Sequence, residues 1–485
     1  MNTGPAGRRS AEGTNNRRPL RRYAGVWALW GLAVSAVIPG EYSGWNTGLL
    51  EGGFGGLLIA MLLVVVMYLC LCYSLGEMAS AMPFTGGGYA FGRSAFGPIG
   101  GFLAGLAQNI EYVLTAAAVV VSAGHALDQL VIIFSGWDAP DVLSWAVIYG
   151  VFVFINIYGV ALTFRLAVGL TVVTLLILAV FAIVAIPNFS IAHALDVAVA
   201  PGGSRWLPNG LGGIAMSVPF AIWFLVLVEM LTLATEETEN PETNVPRGLI
   251  ASVWTLIVTA LIVLVLNSGI PPGASEIGKA AEPLLTGFSA ILGRFSNPAV
   301  LELMTLLAYA AGFHATVYAF GRSIFGFARA GYFPLWLAAM HPTRETPYAA
   351  LITGGVVGFG AVCLVKFSPS TLQIDAVLLN MAVFAAIISY IIMMLCYLKL
   401  RRDMPDMKRP YVSPLGATGA MTALVVAIVA AFMMFHNPSY RPGLLGCTAV
   451  YALGVIYFLL RGRKWIVTSP EERFAKKLRG ETPHD

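Results

Sequence analysis

Three glutamates, Glu41, Glu111 and Glu229, stand inside long apolar stretches that hold no lysine or arginine at matching depth. An acid at the centre of a membrane-crossing helix costs about 2.5–3.5 kcal/mol and marks a binding or charge-moving position. Glu111 lies twelve residues beyond Ile99, or ~18 Å at 1.5 Å per helical residue, which is near the middle of a bilayer. Glu41 has a comparable depth, within Ile38-Pro39-Gly40-Glu41-Tyr42-Ser43-Gly44. Proline withdraws a backbone donor and glycine tolerates open dihedrals, so the helix is expected to break here. Unpaired backbone is tolerated in a bilayer only where it lines a cavity or binds something. A plain proline kink would account for Pro39 but not for the carboxylate beside it. A second interrupted segment, from Pro219 through Trp223 to Glu229, also joins proline, aromatic and acid, although neither glycine nor proline lies between Trp223 and Glu229. Glu229 is placed deeper than the other two acids, toward the cytoplasmic side. Chemically, carboxylates with aromatic neighbours suit a small organic cation. Trp223, Tyr42 and Tyr112 would supply cation–π walls and hydroxyl partners, with packing against lipid or other helices as the alternative for Tyr112 and Trp223.

The elements that must hold these residues are membrane helices. Of 485 residues, 58% are apolar and only 11% are charged, with mean hydropathy +0.77. A soluble domain carries about 25% charged residues, so this chain cannot face water all round. Each crossing needs roughly 20 apolar residues, and twelve candidate helices follow: 24–50, 53–81, 99–130, 142–160, 164–186, 211–235, 249–269, 298–327, 347–365, 374–398, 417–435 and 443–460. Two interrupted helices at corresponding places in two five-helix halves, about 24–187 and 211–398, point to an inverted-repeat transporter with two extra helices at 417–460. Residues 1–23 and 461–485 are read as cytoplasmic tails. Twenty-four of the 29 basic residues fall in the tails and alternate loops on that side. Only Arg205, Lys279, Arg294, Lys366 and Arg441 lie across the membrane, so both termini are expected in the cytoplasm.

Other functions are disfavoured on residue chemistry. There is no metal-ligand spacing, phosphate-binding glycine loop or nucleophile–base cluster, so no catalytic residue, metal or cofactor is expected. Glu236, Glu237 and Glu239 are assigned to a solvated loop. Cys70, Cys72, Cys363, Cys396 and Cys447 read as small apolar residues. The net charge of +4 follows from the loop bias and does not suggest nucleic-acid binding. The N-terminal arginines lead into polar sequence, not a cleavable signal. Glu77 reads as a gate or loop anchor and His314 as a satisfied core histidine, while Asp375 and Asn380 carry no assignment. A membrane sensor is the competing class, against which stand short tails without an output domain.

Several motifs in order carry a family resemblance. They are Pro83-Phe84-Thr85-Gly86-Gly87-Gly88-Tyr89 with Phe96-Gly97-Pro98, Asn240-Pro241 with Asn244-Val245-Pro246, Gly321-Arg322 with Ala328-Arg329-Ala330-Gly331-Tyr332-Phe333-Pro334, and Arg409-Pro410-Tyr411. Over roughly 23–460 the chain resembles the amino acid–polyamine–organocation (APC) superfamily. That resemblance implies an all-α integral membrane fold of twelve transmembrane helices, a LeuT-type five-plus-five inverted repeat plus two helices. Within it, Gly40-Glu41-Tyr42-Ser43-Gly44-Trp45-Asn46, Asn109-Ile110-Glu111-Tyr112-Val113-Leu114-Thr115 and Ala221-Ile222-Trp223-Phe224 look like ethanolamine permease motifs. Pro39 and Met230 depart from that pattern. The resemblance implies that Gly40, Glu41, Tyr42, Glu111, Tyr112 and Trp223 line the substrate site. In related amino-acid carriers the first-helix break holds a substrate carboxylate, and Glu41 there would repel one. Glu229 matches an acid linked with proton coupling, the alternative being an acid bonded to a neighbouring helix. The expected partners are a small cationic amine and membrane lipid; oligomeric state and coupling mode stay open, and an amino-acid or other amine or polyamine permease is the runner-up.

Overall fold

The computed structural model describes residues 22–84, 86–293, 297–368 and 374–467, together with residue 473. Most of the expected tails, Thr85, Arg294 and the side chain of Asp375 lie outside the described residues. Regular structure among those described is helical, with one isolated bridge between Ala24 and Thr238. In chain order the helices are α1 (Val26–Val37), α2 (Pro39–Tyr42), α3 (Thr47–Ala81), α4 (Gly88–Ser135), α5 (Asp141–Tyr158), α6 (Val160–Ala185), α7 (Ile191–Ala194) and α8 (Gly210–Ile222). Then come α9 (Pro241–Gly269), α10 (Ala274–Ile277), α11 (Pro283–Leu292), α12 (Pro298–Arg329), α13 (Tyr348–Lys366), α14 (Ile374–Asp403), α15 (Gly416–His436) and α16 (Arg441–Leu460).

Ten helices among the described residues are long and apolar enough to cross a membrane. Exposed apolar side chains such as Leu176, Ile183, Val356 and Leu364 coat their outer faces, as expected of helices surrounded by hydrocarbon rather than water. The two candidate stretches absent from those ten are 24–50 and 211–235, the two expected to break. Both are divided into pieces too short to span.

Two glycines mark boundaries close to those read from the apolar runs. Gly53 has φ 67° and ψ −179° inside α3, so residues 47–52 complete the first stretch and the second begins after a kink. Gly97, at φ 69°, likewise separates a short helix at 88–96 from a long one starting at Pro98. Only glycine takes these dihedrals cheaply. The core between them is built by α14 lying along α4, by α3 against α8 and α9, and by α1 against α6, α9 and α12.

Candidate functional site

The first break falls where the sequence places it. α1 ends at Val37, Pro39 opens α2 at the position where its missing donor costs nothing, and Ser43 leaves the helix for extended backbone. The second break is sharper than its sequence suggests. α8 ends at Ile222, the chain turns, and residues Val228–Glu237 continue as a 3-10 helix. The turn is made by Leu227 at φ 80°, a left-handed conformation uncommon for a non-glycine residue. Nothing in the residue type announces it, and the buried surroundings of Leu227 hold it there.

The two breaks meet. A Cβ added to Gly40 would lie 2.0 Å from the carbonyl oxygen of Trp223, and one added to Gly44 would lie 3.2 Å from the indole of Trp223. Glycine at 40 is thus a requirement of backbone-to-backbone approach. Trp45 stacks on Phe224 with ring centroids 5.2 Å apart, and its indole N–H donates to the Glu41 carbonyl at 3.0 Å. Pro39 packs against Gly312 of α12.

The structure divides the three acids into two groups. Glu41, at 0% exposure, accepts a hydrogen bond from Thr259 of α9 through Oε1 at 2.5 Å, while Oε2 has no hydrogen-bond partner. Glu111 and Glu229, also at 0% exposure, lie with their carboxyl groups against each other. Tyr390 of α14 donates to Glu229 Oε2 at 3.0 Å and Tyr112 to Oε1 at 3.5 Å. Neither oxygen of Glu111 meets a donor. None of the ion pairs among the described residues includes any of the three acids. Glu229 therefore does not stand apart below the other two, as its sequence position suggests; it shares its surroundings with Glu111. Trp223 is 4% exposed and sits at the meeting of the breaks. Tyr42 is buried beside Glu41, its hydroxyl without a hydrogen-bond partner and its ring 6.2 Å from that of Tyr309.

Both approaches to this region are covered. On the side away from the N-terminus, the Asn46 amide donates to the carbonyls of Ile277 and Ala280, each at 2.8 Å. Tyr309 bridges there from Ser43 at 2.9 Å to Glu282 at 2.6 Å. On the N-terminal face, Glu237 pairs with Arg322 at 3.0 Å and accepts from the Tyr318 hydroxyl, all within protein. Glu236 pairs with Arg329 at 2.7 Å. The expectation of a solvated loop at 236–239 is thereby corrected for Glu236 and Glu237. Acids in a short polar stretch after an apolar run look solvated in sequence, but the buried partners of Glu237, Arg322 and Tyr318, lie some eighty residues away. The backbone N–H groups of Tyr23 and Ala24 both donate to the Glu237 carbonyl, at 2.8 and 2.9 Å.

The remaining singled-out residues are structural. Glu77 accepts from Tyr397 at 2.8 Å and from the Ser413 backbone at 2.8 Å, and pairs with Arg409 at 3.0 Å, anchoring the segment between α14 and α15. His314 contacts the Thr163 carbonyl at 2.9 Å and the Asn156 amide at 3.2 Å. Asn380 donates to the Ser439 carbonyl at 3.1 Å. All five cysteines are unpaired. Sequence reasoning missed Thr259 and Tyr390, which bond Glu41 and Glu229, and Tyr68 and Gln108, which bond the hydroxyls of Tyr390 and Tyr112; all four are ordinary polar residues in apolar runs.

A family model described as amino acid permease matches residues 25–458. An uncharacterised transporter of Rhizobium meliloti is 26% identical, the alignment covering 94% of this chain and 96% of that one. A branched-chain amino acid permease of Bacillus subtilis is 26% identical, over 83% of this chain and 85% of its own length. A methylthioribose transporter of the same species is 25% identical, over 81% and 82%. None of these three is named for ethanolamine.

Proposed function

This chain belongs to the amino acid permease family, and on that footing we propose that it takes up a small organic amine, ethanolamine foremost, as a secondary transporter working by alternating access. That it is a multi-pass membrane protein with transporters as relatives stands on the match over residues 25–458 and on ten apolar helices. The substrate reading rests on one observation: next to Gly40, where the two breaks meet, the Glu41 carboxyl that Thr259 of α9 bonds through one oxygen keeps the other without a hydrogen-bond partner and has no ion-pair partner among the described residues. A buried acid left in that condition is stabilised by an arriving ammonium and repelled by a carboxylate. The neighbouring Trp223 and Tyr42 offer aromatic faces to the same cation.

The wider assignment includes twelve crossings, counting the two broken stretches, with both termini in the cytoplasm and the protein in the cell membrane. The five-plus-five repeat over about 24–187 and 211–398 belongs to it too. The runner-up is an amino-acid permease, favoured by the likeness to the branched-chain amino acid permease of Bacillus subtilis. Proteoliposome uptake of labelled ethanolamine, competed by ethanolamine, choline, alanine and a polyamine, separates the two. Competition by ethanolamine with little from alanine is expected; strong competition by alanine overturns the amine reading. Absence of flux for every solute would leave a membrane sensor.

A further inference from the structure

A cavity of about 520 Å³ opens where the start of the long part of α4 meets the end of α16, within the ~300–1,000 Å³ of small-molecule sites. Its walls include Arg93 and Ile99 of α4, Phe458 and Leu459 of α16, and Arg463 and Ile466 of the segment that follows. Two guanidinium groups and no acid line it among the described residues. The other walls are apolar, so an anion that carries hydrocarbon suits the cavity best. It lies at a membrane boundary. The outer face of α16 is apolar through Ile456, Leu459 and Leu460, each more than half exposed, and exposed Arg461, Arg463 and Lys464 follow at once. Trp465, 71% exposed, has the place of an interfacial tryptophan. Arg329, which pairs with Glu236, and Tyr332, which bonds Arg93, close together at the end of α12, put this boundary on the face of Tyr23 and Ala24. The walls are firmly held. Arg93, 2% exposed, donates to the Tyr332 hydroxyl at 2.9 Å and to the Val467 carbonyl at 3.1 Å. The Tyr332 hydroxyl donates to the Pro98 carbonyl at 2.7 Å, and Phe458 stacks on Phe102 with centroids 4.2 Å apart. Arg463 takes part in none of the ion pairs among the described residues.

We propose that this cavity binds an anionic phospholipid from the leaflet on the Tyr23 side, its phosphate held by Arg463 and an acyl chain lying along Ile99, Phe458 and Leu459. A guanidinium meets phosphate oxygens in pairs, and basic pockets between membrane helices collect anionic headgroups. A free phosphate shares the ionic part of that chemistry but gains nothing from the apolar walls. The rival occupant is the chain's own tail, in which Glu471 and Glu472 follow shortly after Val467.

The test is native mass spectrometry of the purified full chain mixed with phosphatidylglycerol or phosphatidylcholine, with melting curves in the same detergent. Wild type is expected to retain phosphatidylglycerol about tenfold better than phosphatidylcholine, and to melt at a higher temperature with it. Inorganic phosphate is expected to leave the melt unchanged. Arg463→Gln should lower retention of phosphatidylglycerol about tenfold. Lys464→Gln removes the same charge from an exposed neighbour outside the cavity and should lower it less than about threefold. Ile99→Trp keeps both arginines, fills the apolar part and should match Arg463→Gln. Equal retention of the two lipids by wild type overturns the proposal, as do equal losses in Lys464→Gln and Arg463→Gln, which would mark a diffuse surface charge. Stabilisation by inorganic phosphate as strong as by phosphatidylglycerol overturns it in favour of a soluble anion. Retention of phosphatidylglycerol only after Glu471→Gln and Glu472→Gln together overturns it in favour of the tail.

Discussion

Replacing Glu41 by glutamine removes a charge while keeping the shape that fills the first break. Glutamine retains an acceptor for the Thr259 hydroxyl, which donates to Glu41 Oε1 at 2.5 Å, so the tie to α9 survives. What is lost lies at the other oxygen, which has no hydrogen-bond partner. An ammonium about 4 Å from a carboxylate, at an effective dielectric near 20, gains about 4 kcal/mol before desolvation. Stripping water from both ions takes back much of that, leaving about 1.5–3 kcal/mol, or at least tenfold in affinity. The glutamine amide adds its own penalty by pointing a donor at the cation. Glu41→Gln is therefore expected to weaken ethanolamine at least tenfold, with Thr259→Val, which leaves the charge, well behind it. The assay is direct binding to purified protein, with uptake competition by alanine and choline alongside. Unchanged ethanolamine affinity in Glu41→Gln, together with strong alanine competition on wild type, would refute the charge argument.

Four further outcomes are open to measurement. Gly40→Ala should overpack the contact with the Trp223 carbonyl, lowering stability by about 1–3 kcal/mol, seen as a lower melting temperature in detergent; an unchanged melt would mean the breaks do not touch. Breaking the buried Arg322–Glu237 pair with Arg322→Gln leaves Glu237 unpaired and should destabilise by about 3–5 kcal/mol, whereas Arg329→Gln at the partly exposed pair should cost less than about 1 kcal/mol. The melting temperatures of the two variants, compared side by side, decide this. Externally added thiol reagent in intact cells should label cysteines placed at Arg205 or Lys279 and spare one at Lys408; labelling at Lys408 would reverse the topology. Trp223→Ala should weaken amine binding more than Trp45→Phe, because the Trp223 indole lies against Gly44 at the first break, and the reverse order would remove Trp223 from the site.

The helical class and the first break were legible because they rest on composition and on residues with fixed backbone habits. Apolar runs give spans, and Pro39 with Gly40 gives an interruption that the structure places one residue after Val37. The second break was only half legible. Its turn is made by Leu227 at φ 80°, a residue with no preference for that conformation, so the surrounding packing decides. The acids were legible as a set but not as a grouping. Helical depth fixes a residue's height in the membrane and says nothing of rotation about the axis, which is why Glu111 could be paired on paper with Glu41 and in space with Glu229. The same limit hid Thr259 and Tyr390, whose importance lies wholly in the direction they face. Glu237 failed for a related reason. Charge in a loop reads as solvated unless its buried partner is known, and here that partner is the arginine of Gly321-Arg322, a motif noticed for its family likeness alone.

The bonds that join the start of α1 to the end of the 3-10 segment are made by main chain: Tyr23 and Ala24 to the Glu237 carbonyl, and Glu239 back to Ala24, at 2.8 to 3.0 Å. Main-chain bonds survive most side-chain replacement, so this seam is indifferent to what evolution does at positions 41, 111, 223 or 229. Selection can retune cargo in the middle of the molecule without renegotiating how its two interrupted helices are fastened. Relatives about a quarter identical and named as carriers of branched-chain amino acids or of methylthioribose fit a lineage with that freedom. Swapping the first-break residues between such relatives should be a shorter route to a new cargo than swapping whole helices.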